Sequence, residues 1–263
     1  MARKSGSSGQ SWQRGSARSG WGVELSEHLK RRAAEAAIAE LSPGMRIGLG
    51  TGSTARQFVE LLGEKVAGGF ACTGVPTSAT TARQARDAGI SLTTLDDDPH
   101  LDIAVDGTDE IDPSLNLIKG GGGALLREKI VAAAADRFVV IGDGSKQVDR
   151  LGRFALPVEF DAFGLGHVRG AVAAIMRDDG AADEVLLRRT ATGEPFVTDG
   201  GHLIFDAFFG RISDTKAVAH ALNAVPGIVE HGLFVGMCEV AYIGTESGVT
   251  VMRAGRATTG PAS

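Results

Sequence analysis

The chain has 263 residues, 43% of them hydrophobic, which is enough for one large domain or two smaller domains with packed cores. Its formal net charge is −5 although the first 23 positions hold four basic residues and no acidic residue, so the remainder is acidic and a poor candidate for binding nucleic acid. Two cysteines and six scattered histidines exclude a disulfide framework and a zinc site built from His and Cys.

The two ends of the chain differ in composition from the rest. Residues 1–23 are rich in Ser, Gly and Arg, and residues 254–263 are similar, so we expect both to be disordered tails, the first of them basic. No apolar stretch is long enough to cross a membrane, and the first residues lack the apolar core of a secretory signal. We therefore expect a cytoplasmic protein without membrane contact.

Helices and strands alternate between residues 24 and 152. In chain order the spacing of apolar residues predicts a helix at 25–41, a strand at 45–49, a helix beginning near 55, a strand at 72–75, a helix at 80–88, strands at 90–95, 101–105 and 115–118, a helix at 124–136 and a strand at 138–141. Strands that are apolar throughout predict a parallel sheet covered on both faces. Ligands bind such sheets at the carboxyl ends of the strands.

The pattern changes in residues 153–235. The predicted elements are a strand at 153–160, a helix at 167–176, a strand at 184–190, a hairpin at 195–209, a helix at 213–223 and a strand at 228–235. This is the order of a ferredoxin-like α+β domain. Apolar stretches at 239–243 and 249–252 resemble the first part again. The predicted fold class is therefore α/β, with a Rossmann-like, mostly parallel sheet in a catalytic domain (24–152 and 236–253) and a second, ferredoxin-like α+β domain (153–235).

The segment GLGTGST, residues 48–54, connects the first predicted strand to the second helix. Its glycine spacing fits neither the dinucleotide fingerprint nor the P-loop, and the P-loop lysine is missing. Backbone N–H groups at the helix start, together with the hydroxyls of Thr51, Ser53 and Thr54, predict a phosphate site. A simple helix cap is the weaker alternative, because it needs one hydroxyl and no series of glycines.

An acidic segment, DGTDEID at residues 106–112, follows another predicted strand. Asp106 and Asp109 are three residues apart, and crowded carboxylates differ in pKa, so that one accepts and another donates a proton. Clustered aspartates also bind Mg²⁺ or Ca²⁺, and the spacing alone favours neither hypothesis. An Asx-rich turn is a weaker third interpretation.

The segment KGGGGALLREK, residues 119–129, is the strongest functional signal in the chain. Four consecutive glycines allow the backbone to approach a ligand, and the helix that follows carries Glu128. Leu126, Ile130 and Ala133 form the predicted core-facing stripe, which puts Glu128 on the opposite, open face above the glycines. Partial burial there would raise the pKa of Glu128 toward the range of a general base. A glycine linker before a solvated helix is the alternative.

Lys119 and Lys146 are the cations nearest to these loops. Lys146 ends the segment GDGSK at residues 142–146, which follows a strand, where a phosphate or an oxyanion could be met. Taken singly, both residues are explained equally well as solvated surface lysines.

Taken in order, GLGTGSTA, DGTDEID, KGGGGALLREK and GDGSK resemble segments of the type A ribose-5-phosphate isomerase family. The likeness extends from about residue 25 to residue 251 and includes PVEF, VTDGGHLIFD and NAVPGIVEHGLF. It implies interconversion of D-ribose 5-phosphate and D-ribulose 5-phosphate through a cis-enediolate, without metal or cofactor, in the non-oxidative pentose phosphate pathway. It also implies a homodimer or homotetramer that binds a small sugar phosphate.

The resemblance assigns the role of proton-abstracting base to Glu128 and places Asp106, Asp109 and Lys119 at the reacting end of the sugar. The phosphate contacts fall on Ser53, Thr54 and Lys146, with Lys30 of the first helix as a weaker candidate, and Thr51 belongs to the same loop. The full expected substrate-binding set is Lys30, Thr51, Gly52, Ser53, Thr54, Asp106, Gly107, Thr108, Asp109, Lys119, Gly120, Gly121, Gly122 and Lys146.

Two alternatives have the same broad fold. An amino-sugar phosphate deaminase would be expected to have a histidine beside the acidic segment, and none stands there. A sugar-phosphate-sensing regulatory domain would be expected to lack the base, whereas Glu128, Lys119 and both aspartates are present. The isomerase is therefore the preferred hypothesis.

Overall fold

The computed structural model describes residues 17–253, with side chains from residue 24 onward. Its helices are α1 (Ala17–Ile38), α2 (Ser53–Ala67), α3 (Ala79–Asp87), α4 (Leu125–Ala133), α5 (Leu165–Asp178) and α6 (Thr215–Asn223). Its strands are β1 (Arg46–Leu49), β2 (Thr73–Pro76), β3 (Ser91–Leu92), β4 (Ile103–Gly107), β5 (Glu110–Ile111), β6 (Leu117–Ile118), β7 (Phe138–Asp143), β8 (Leu156–Phe160), β9 (Val185–Leu187), β10 (Leu203–Ala207), β11 (Ile228–His231), β12 (Leu233–Phe234), β13 (Val240–Thr245) and β14 (Gly248–Arg253).

Residues 1–16 and 254–263, which hold most of the two predicted tails, lie outside the described residues. Residues 17–23 were also predicted to be disordered, but they form the start of α1, which begins at Ala17 instead of near residue 25. No helix within residues 17–253 combines the length and the hydropathy that crossing a membrane requires.

Seven strands form the main sheet, in the order β14-β13-β7-β4-β1-β2-β3. All neighbouring pairs are parallel except β13 with β14, which is antiparallel. The last two strands of the chain therefore lie in the same sheet as the first ones. The predicted α/β class with a mostly parallel sheet is confirmed.

The two faces of the main sheet belong to separate cores. Ile103 and Val105 of β4 pack on one face with residues of α1 and α2. Ala104 packs on the other face with Val131 of α4. Because side chains alternate along a strand, Asp106 follows Ala104 onto the α4 face. The alternation of β4 thus points a carboxylate at the helix that carries Glu128.

Two glycines of β1 and the loop after it make room on the α4 face. A Cβ at Gly48 would lie 2.5 Å from Val131 Cγ1 and 2.8 Å from Ala104 Cβ, and a Cβ at Gly50 would overlap the Asp106 carboxylate. Gly48 and Gly50 therefore have a packing role, although the sequence pattern alone predicted phosphate binding for the whole glycine series.

A second sheet has the strand order β11-β8-β10-β9, with every pair antiparallel. Its core includes Val168 and Val172 of α5, and Val218 and Leu222 of α6. If the four strands are numbered by their order in the chain, they lie side by side in the order 4-1-3-2, which is the predicted ferredoxin-like arrangement.

A third sheet, β12-β6-β5, connects residues near the acidic segment with residues near the end of the second sheet. The predicted strand at 228–235 is in fact two strands, β11 and β12, separated at Gly232. Lys119 N donates to Gly232 O at 2.9 Å, and a Cβ at Gly232 would overlap Lys119 O. The close approach of these two backbones explains the interruption.

Candidate active site

The loops that follow β1, β4 and β7 meet in one cleft, as expected for the carboxyl ends of these parallel strands, and the loop after β6 of the third sheet joins them. The cleft is lined by Thr51, Gly52, Ser53, Thr54, Gly107, Thr108, Asp109, Lys119, Gly120, Gly121, Gly122, Glu128 and Lys146. Every predicted site residue is in this lining except Lys30 and Asp106.

Lys119, Asp106 and Glu128 form a buried charged cluster at one end of the cleft. Lys119 Nζ lies 3.0 Å from Asp106 Oδ2 and 3.4 Å from Glu128 Oε2. It also donates to Gly107 O at 2.6 Å. Lys119 is only 2% exposed and Glu128 only 4% exposed. The alternative in which Lys119 is a solvated surface lysine is therefore wrong.

Burial changes the ionisation of all three groups. Removal from water raises the pKa of Glu128 to about 8, although Lys119 opposes the shift. Burial also raises the pKa of Asp106, again against the effect of Lys119. Burial by itself lowers the pKa of the Lys119 ammonium, but the neighbouring carboxylates outweigh it and the pKa is raised. Near neutral pH, Lys119 is thus a cation and Glu128 can both accept and return a proton.

Glu128 lies on the buried side of α4, which corrects the predicted orientation of this helix. Leu125 and Val131 share its buried side, whereas Ile130, predicted to face the core, is 48% exposed. The prediction assumed that only apolar residues face inward, but here Lys119 gives a buried carboxylate a partner. Glu128 Oε2 is fully buried and makes no hydrogen bond of good geometry within residues 24–253, and Lys119 Nζ, 3.4 Å away, is the cation paired with it.

Asp106 and Asp109 each hold one loop of the cleft. Asp106 Oδ1 accepts from Thr51 N at 3.1 Å and from Gly107 N at 2.7 Å. Asp109 Oδ2 accepts from Gly121 N at 2.7 Å. Asp106 therefore lies beneath the surface of the cleft and links Lys119 to the loop after β1. The resemblance placed both aspartates at the reacting end of the sugar, but the structure brings only Asp109 to the cleft surface.

The glycine loop between β6 and α4 requires backbone conformations that favour glycine. Gly120 has φ 102° and Gly123 has φ 79°. Gly123 N donates to Gly120 O at 2.9 Å, which closes a tight turn. Gly122 lies between them in the cleft lining, and its N–H makes no hydrogen bond to any residue that the structure describes. The loop therefore offers a free backbone donor to a ligand.

The start of α2 forms the other end of the cleft. Its N-cap residue is Gly52, with φ 115° and no side-chain hydrogen bond that caps the helix. An uncapped helix start has free N–H groups and a partial positive charge, which favour an anion. The alternative in which Ser53 or Thr54 simply caps the helix therefore does not fit, and the geometry suits a phosphate.

The hydroxyl of Thr51 is held inside the protein. Thr51 Oγ1 lies 2.7 Å from Thr77 Oγ1, 2.9 Å from Ser78 Oγ and 3.0 Å from Thr81 Oγ1. Because the Thr51 amide also donates to Asp106, this residue supports the loop and does not offer its hydroxyl to a phosphate as predicted. Sequence reasoning missed the other three residues, although a hydroxyl-rich run directly after a strand was a usable signal.

The two lysines predicted to contact phosphate are in different places. Lys146 lines the cleft at the end of a 3₁₀ turn, Gly144–Lys146, that follows β7. Lys30 lies on α1, outside the cleft lining, with its Nζ bonded to Glu27 Oε1 at 2.8 Å. The structure thus brings Lys146, but not Lys30, into the cleft that the start of α2 also lines.

Fold and cleft together define a class of protein. A buried carboxylate with a pKa near 8 lies beside a lysine cation and a free backbone N–H, and an uncapped helix start lies at the other end of the same cleft. This combination is expected of an enzyme that moves protons on a small phosphorylated substrate.

Sequence comparison identifies the family. The model of the ribose 5-phosphate isomerase A (phosphoriboisomerase A) family matches residues 73–248. A ribose-5-phosphate isomerase A from Rhodopseudomonas palustris is 57% identical over 229 residues, which cover 87% of this chain and 99% of the relative. One from Bradyrhizobium diazoefficiens is 54% identical over 230 residues, which cover 86% and 95%.

Solved structures agree with the sequence comparison. Ribose 5-phosphate isomerase A from Methanocaldococcus jannaschii has a TM-score of 0.80 at 37% identity, covering 86% of this chain and 99% of that one. A D-ribose-5-phosphate isomerase in complex with phospho-erythronic acid has a TM-score of 0.81 at 37% identity, covering 87% and 99%. The chain belongs to the ribose-5-phosphate isomerase A family and is an isomerase.

Proposed function

We propose that the chain interconverts D-ribose 5-phosphate and D-ribulose 5-phosphate, with Glu128 as the base that moves the proton. The observation that carries this assignment is the Glu128 carboxylate, which lines the cleft beside Lys119 and whose pKa burial raises to about 8. A base with a pKa close to the working pH is the most effective in proton transfer. The reaction is a step of the non-oxidative pentose phosphate pathway.

In the proposed mechanism Glu128 removes the proton from carbon 2 of the open-chain aldose. The C–H electron pair forms the C1–C2 double bond, and the carbonyl π electrons move to oxygen 1 to give a cis-enediolate. Glu128 then returns the proton to carbon 1 while the C2–O bond becomes the ketone. Asp109, which lines the cleft, takes the proton from the hydroxyl on carbon 2 and delivers it to oxygen 1, so that the product has a ketone at carbon 2 and a hydroxyl at carbon 1. Asp106 keeps Lys119 in position through the 3.0 Å contact.

The negative charge of the enediolate needs donors that are in place before the reaction. Lys119 Nζ, 3.4 Å from Glu128 Oε2, is one such donor because it stands next to the base. The free N–H of Gly122 is the second. Both are fixed by other contacts, so little reorganisation is required when charge develops.

The 5-phosphate is proposed to bind at the other end of the cleft, against the start of α2. Ser53 and Thr54 offer backbone N–H groups there, and Lys146 supplies a cation. The carboxylates of the reacting end would repel a dianion. The substrate therefore has one preferred orientation, with its phosphate at α2 and carbons 1 and 2 at Glu128.

We also propose the finer assignments that follow from the family: a homodimer or homotetramer in the cytoplasm that does not bind nucleic acid. Several large apolar side chains are exposed, among them Phe163 and Leu186, which is compatible with further contacts between copies. Light scattering of the purified chain measures the oligomeric state directly. We also propose that the chain forms two folding units, one comprising residues 24–152 with 236–253 and the other comprising residues 153–235.

The test is the conversion of ribose 5-phosphate to a ketose in D₂O. We expect ribulose 5-phosphate to form and the ribose 5-phosphate recovered at equilibrium to carry deuterium at carbon 2, because the proton on the base exchanges with solvent. A buried base can also return the proton before it exchanges, so the contradicting result is the absence of deuterium from both sugars together with normal turnover of Glu128→Gln. Ammonia release from an amino-sugar phosphate, or binding without turnover, would instead support the deaminase or the sensor, which the comparisons do not favour.

A further inference from the structure

Arg188 approaches the glycine loop from the ferredoxin-like part of the chain. It follows β9 and forms a two-pronged ion pair with Asp206 of β10, in which Nε donates to Oδ2 at 3.0 Å and Nη2 donates to Oδ1. Its third nitrogen, Nη1, donates to Gly120 O at 2.8 Å and to Gly121 O at 3.3 Å. With a side chain only 12% exposed, the guanidinium connects a rigid sheet to two consecutive carbonyls of the loop.

The carbonyl and N–H of a trans peptide point in opposite directions. The peptide between Gly120 and Gly121 shows this, because its carbonyl accepts from Arg188 while its N–H donates to Asp109 in the cleft at 2.7 Å. The next peptide, between Gly121 and Gly122, also has its carbonyl on Arg188. Its N–H is therefore turned away from Arg188 and toward the cleft that Gly122 lines.

We propose that Arg188 is a positioning residue for the isomerisation: by holding the carbonyls of Gly120 and Gly121 it aims the Gly122 N–H at the oxygen that becomes the enediolate anion. Four glycines in succession have unusual backbone freedom, and a donor stabilises a transition state only if it is already oriented. Arg188 removes that freedom without touching the substrate. The inference rests on the proposed function, since it assumes that an enediolate forms at this end of the cleft.

The next residue provides a matched control. Arg189 is exposed, and its Nη1 donates to Gly193 O at 2.7 Å within its own turn. Replacing Arg189 with Ala removes the same charge and the same side chain one position away, without any contact to the glycine loop. A general effect of lost positive charge or of weakened local structure would appear in both variants.

The experiment compares Arg188→Ala, Arg188→Lys and Arg189→Ala with the wild-type chain in ribose 5-phosphate isomerisation. We expect Arg188→Ala to lower kcat by about 10²-fold with little change in KM, as displacement of catalytic groups by about 1 Å does. The kcat of Arg188→Lys should fall by about 10-fold, because an ammonium keeps the charge but cannot make the planar, bidentate contact with Asp206 while also holding the glycine carbonyls. Arg189→Ala should match the wild type.

Added guanidinium should restore part of the lost kcat of Arg188→Ala, since a small cation can occupy the vacated place between Asp206 and the glycine carbonyls. Affinity for phospho-erythronic acid, whose carboxylate resembles the enediolate, should fall together with kcat. A kcat within threefold of wild type in Arg188→Ala, or in Arg188→Lys if the Ala variant does not fold, would overturn the inference. So would a rise in KM at constant kcat. An inactive wild-type chain would instead overturn the proposed function.

Discussion

The two ends of the cleft use charge in different ways. At the proton-transfer end, Lys119, Asp106 and Glu128 are exposed by 2%, 3% and 4%, and the three groups set each other's ionisation. At the phosphate end, Ser53 is exposed, Lys146 is half-buried, and the start of α2 has no side-chain cap. Among the described residues, one end is a buried cluster of interacting side chains, and the other is a more open surface with the backbone N–H groups of the start of α2 and Lys146.

This difference separates chemistry from binding. Burial raises the pKa of a carboxylate toward neutrality, where it can both accept and donate a proton, so proton transfer requires the buried end of the cleft. A phosphate dianion already carries its charge, and it needs donors that are accessible and unpaired. Substitutions at the two ends should therefore change different kinetic constants, and a variant that changes both would weaken the comparison.

The largest expected effect belongs to Glu128→Gln. Removing the base should lower kcat by at least about 10²-fold, because general base catalysis typically contributes 10²–10⁴-fold. KM should change little, since the phosphate end is intact. Steady-state kinetics with ribose 5-phosphate measures both constants. Glu60→Gln on the exposed side of α2 is the control, and near-normal turnover of Glu128→Gln would show that another group is the base.

Lys146→Ala tests the open end of the cleft. We expect KM for ribose 5-phosphate to rise about 10- to 100-fold, because a hydrogen bond to a charged group contributes roughly 1.5–3 kcal/mol. Activity on unphosphorylated ribose should already be poor and should change far less, since the binding energy of the phosphate is absent there. Lys216→Ala, an exposed lysine of α6, is the control. Equal loss with both sugars would place Lys146 at the chemical step.

The fold was largely predictable because its signals are periodic. Apolar strands alternating with helices predicted the parallel sheet, and the order of elements after residue 153 predicted the ferredoxin-like sheet. The pairing of the short strands was not predictable. Strands were predicted over β6 and β12, but β5 and the division between β11 and β12 were not, and that division depends on the approach of Lys119 to Gly232, which are 113 positions apart in the sequence. Such contacts leave no periodic pattern in either segment.

The residues of the site were predictable, but their orientations were not. The sequence pattern placed Glu128 on an open helix face, whereas its side chain is buried beside Lys119. Asp106, which the resemblance assigned to the reacting end, is also buried there, in contact with Lys119. A hydrophobic stripe cannot show that a lysine from another loop makes an inward carboxylate favourable. Arg188 was missed because its target is a pair of carbonyls, which every sequence has and no side-chain pattern marks.

A smaller effect is expected in the pH dependence of stability. The ordinary pKa of a glutamate, which applies to the unfolded chain, is 4.5, whereas the pKa of Glu128 in the folded protein is about 8. The folded state therefore binds the proton of Glu128 more tightly than the unfolded state does. The stability that Glu128 contributes is therefore fully present below pH 4.5 and is lost as the pH rises through about 8. Because glutamine does not titrate, the stability of Glu128→Gln does not have this pH-dependent loss. Its thermal unfolding midpoint should rise relative to that of the wild type between pH 5 and pH 9, and parallel pH profiles would contradict the raised pKa.

The smallest effect is expected from metal chelation, which should leave the activity unchanged within experimental error. Asp106 is occupied by Thr51 N, Gly107 N and Lys119 Nζ, and Asp109 by Gly121 N, so a metal ion would have to displace N–H donors and a cation from these carboxylates. Lys119 and the Gly122 N–H can stabilise the enediolate in place of a metal. Activity on ribose 5-phosphate should therefore be the same with and without EDTA. If EDTA abolished activity and Mg²⁺ or Mn²⁺ restored it, the buried end of the cleft would hold a metal cation in addition to Lys119. Metal ligation would then replace the proposed role of Asp106 in positioning Lys119.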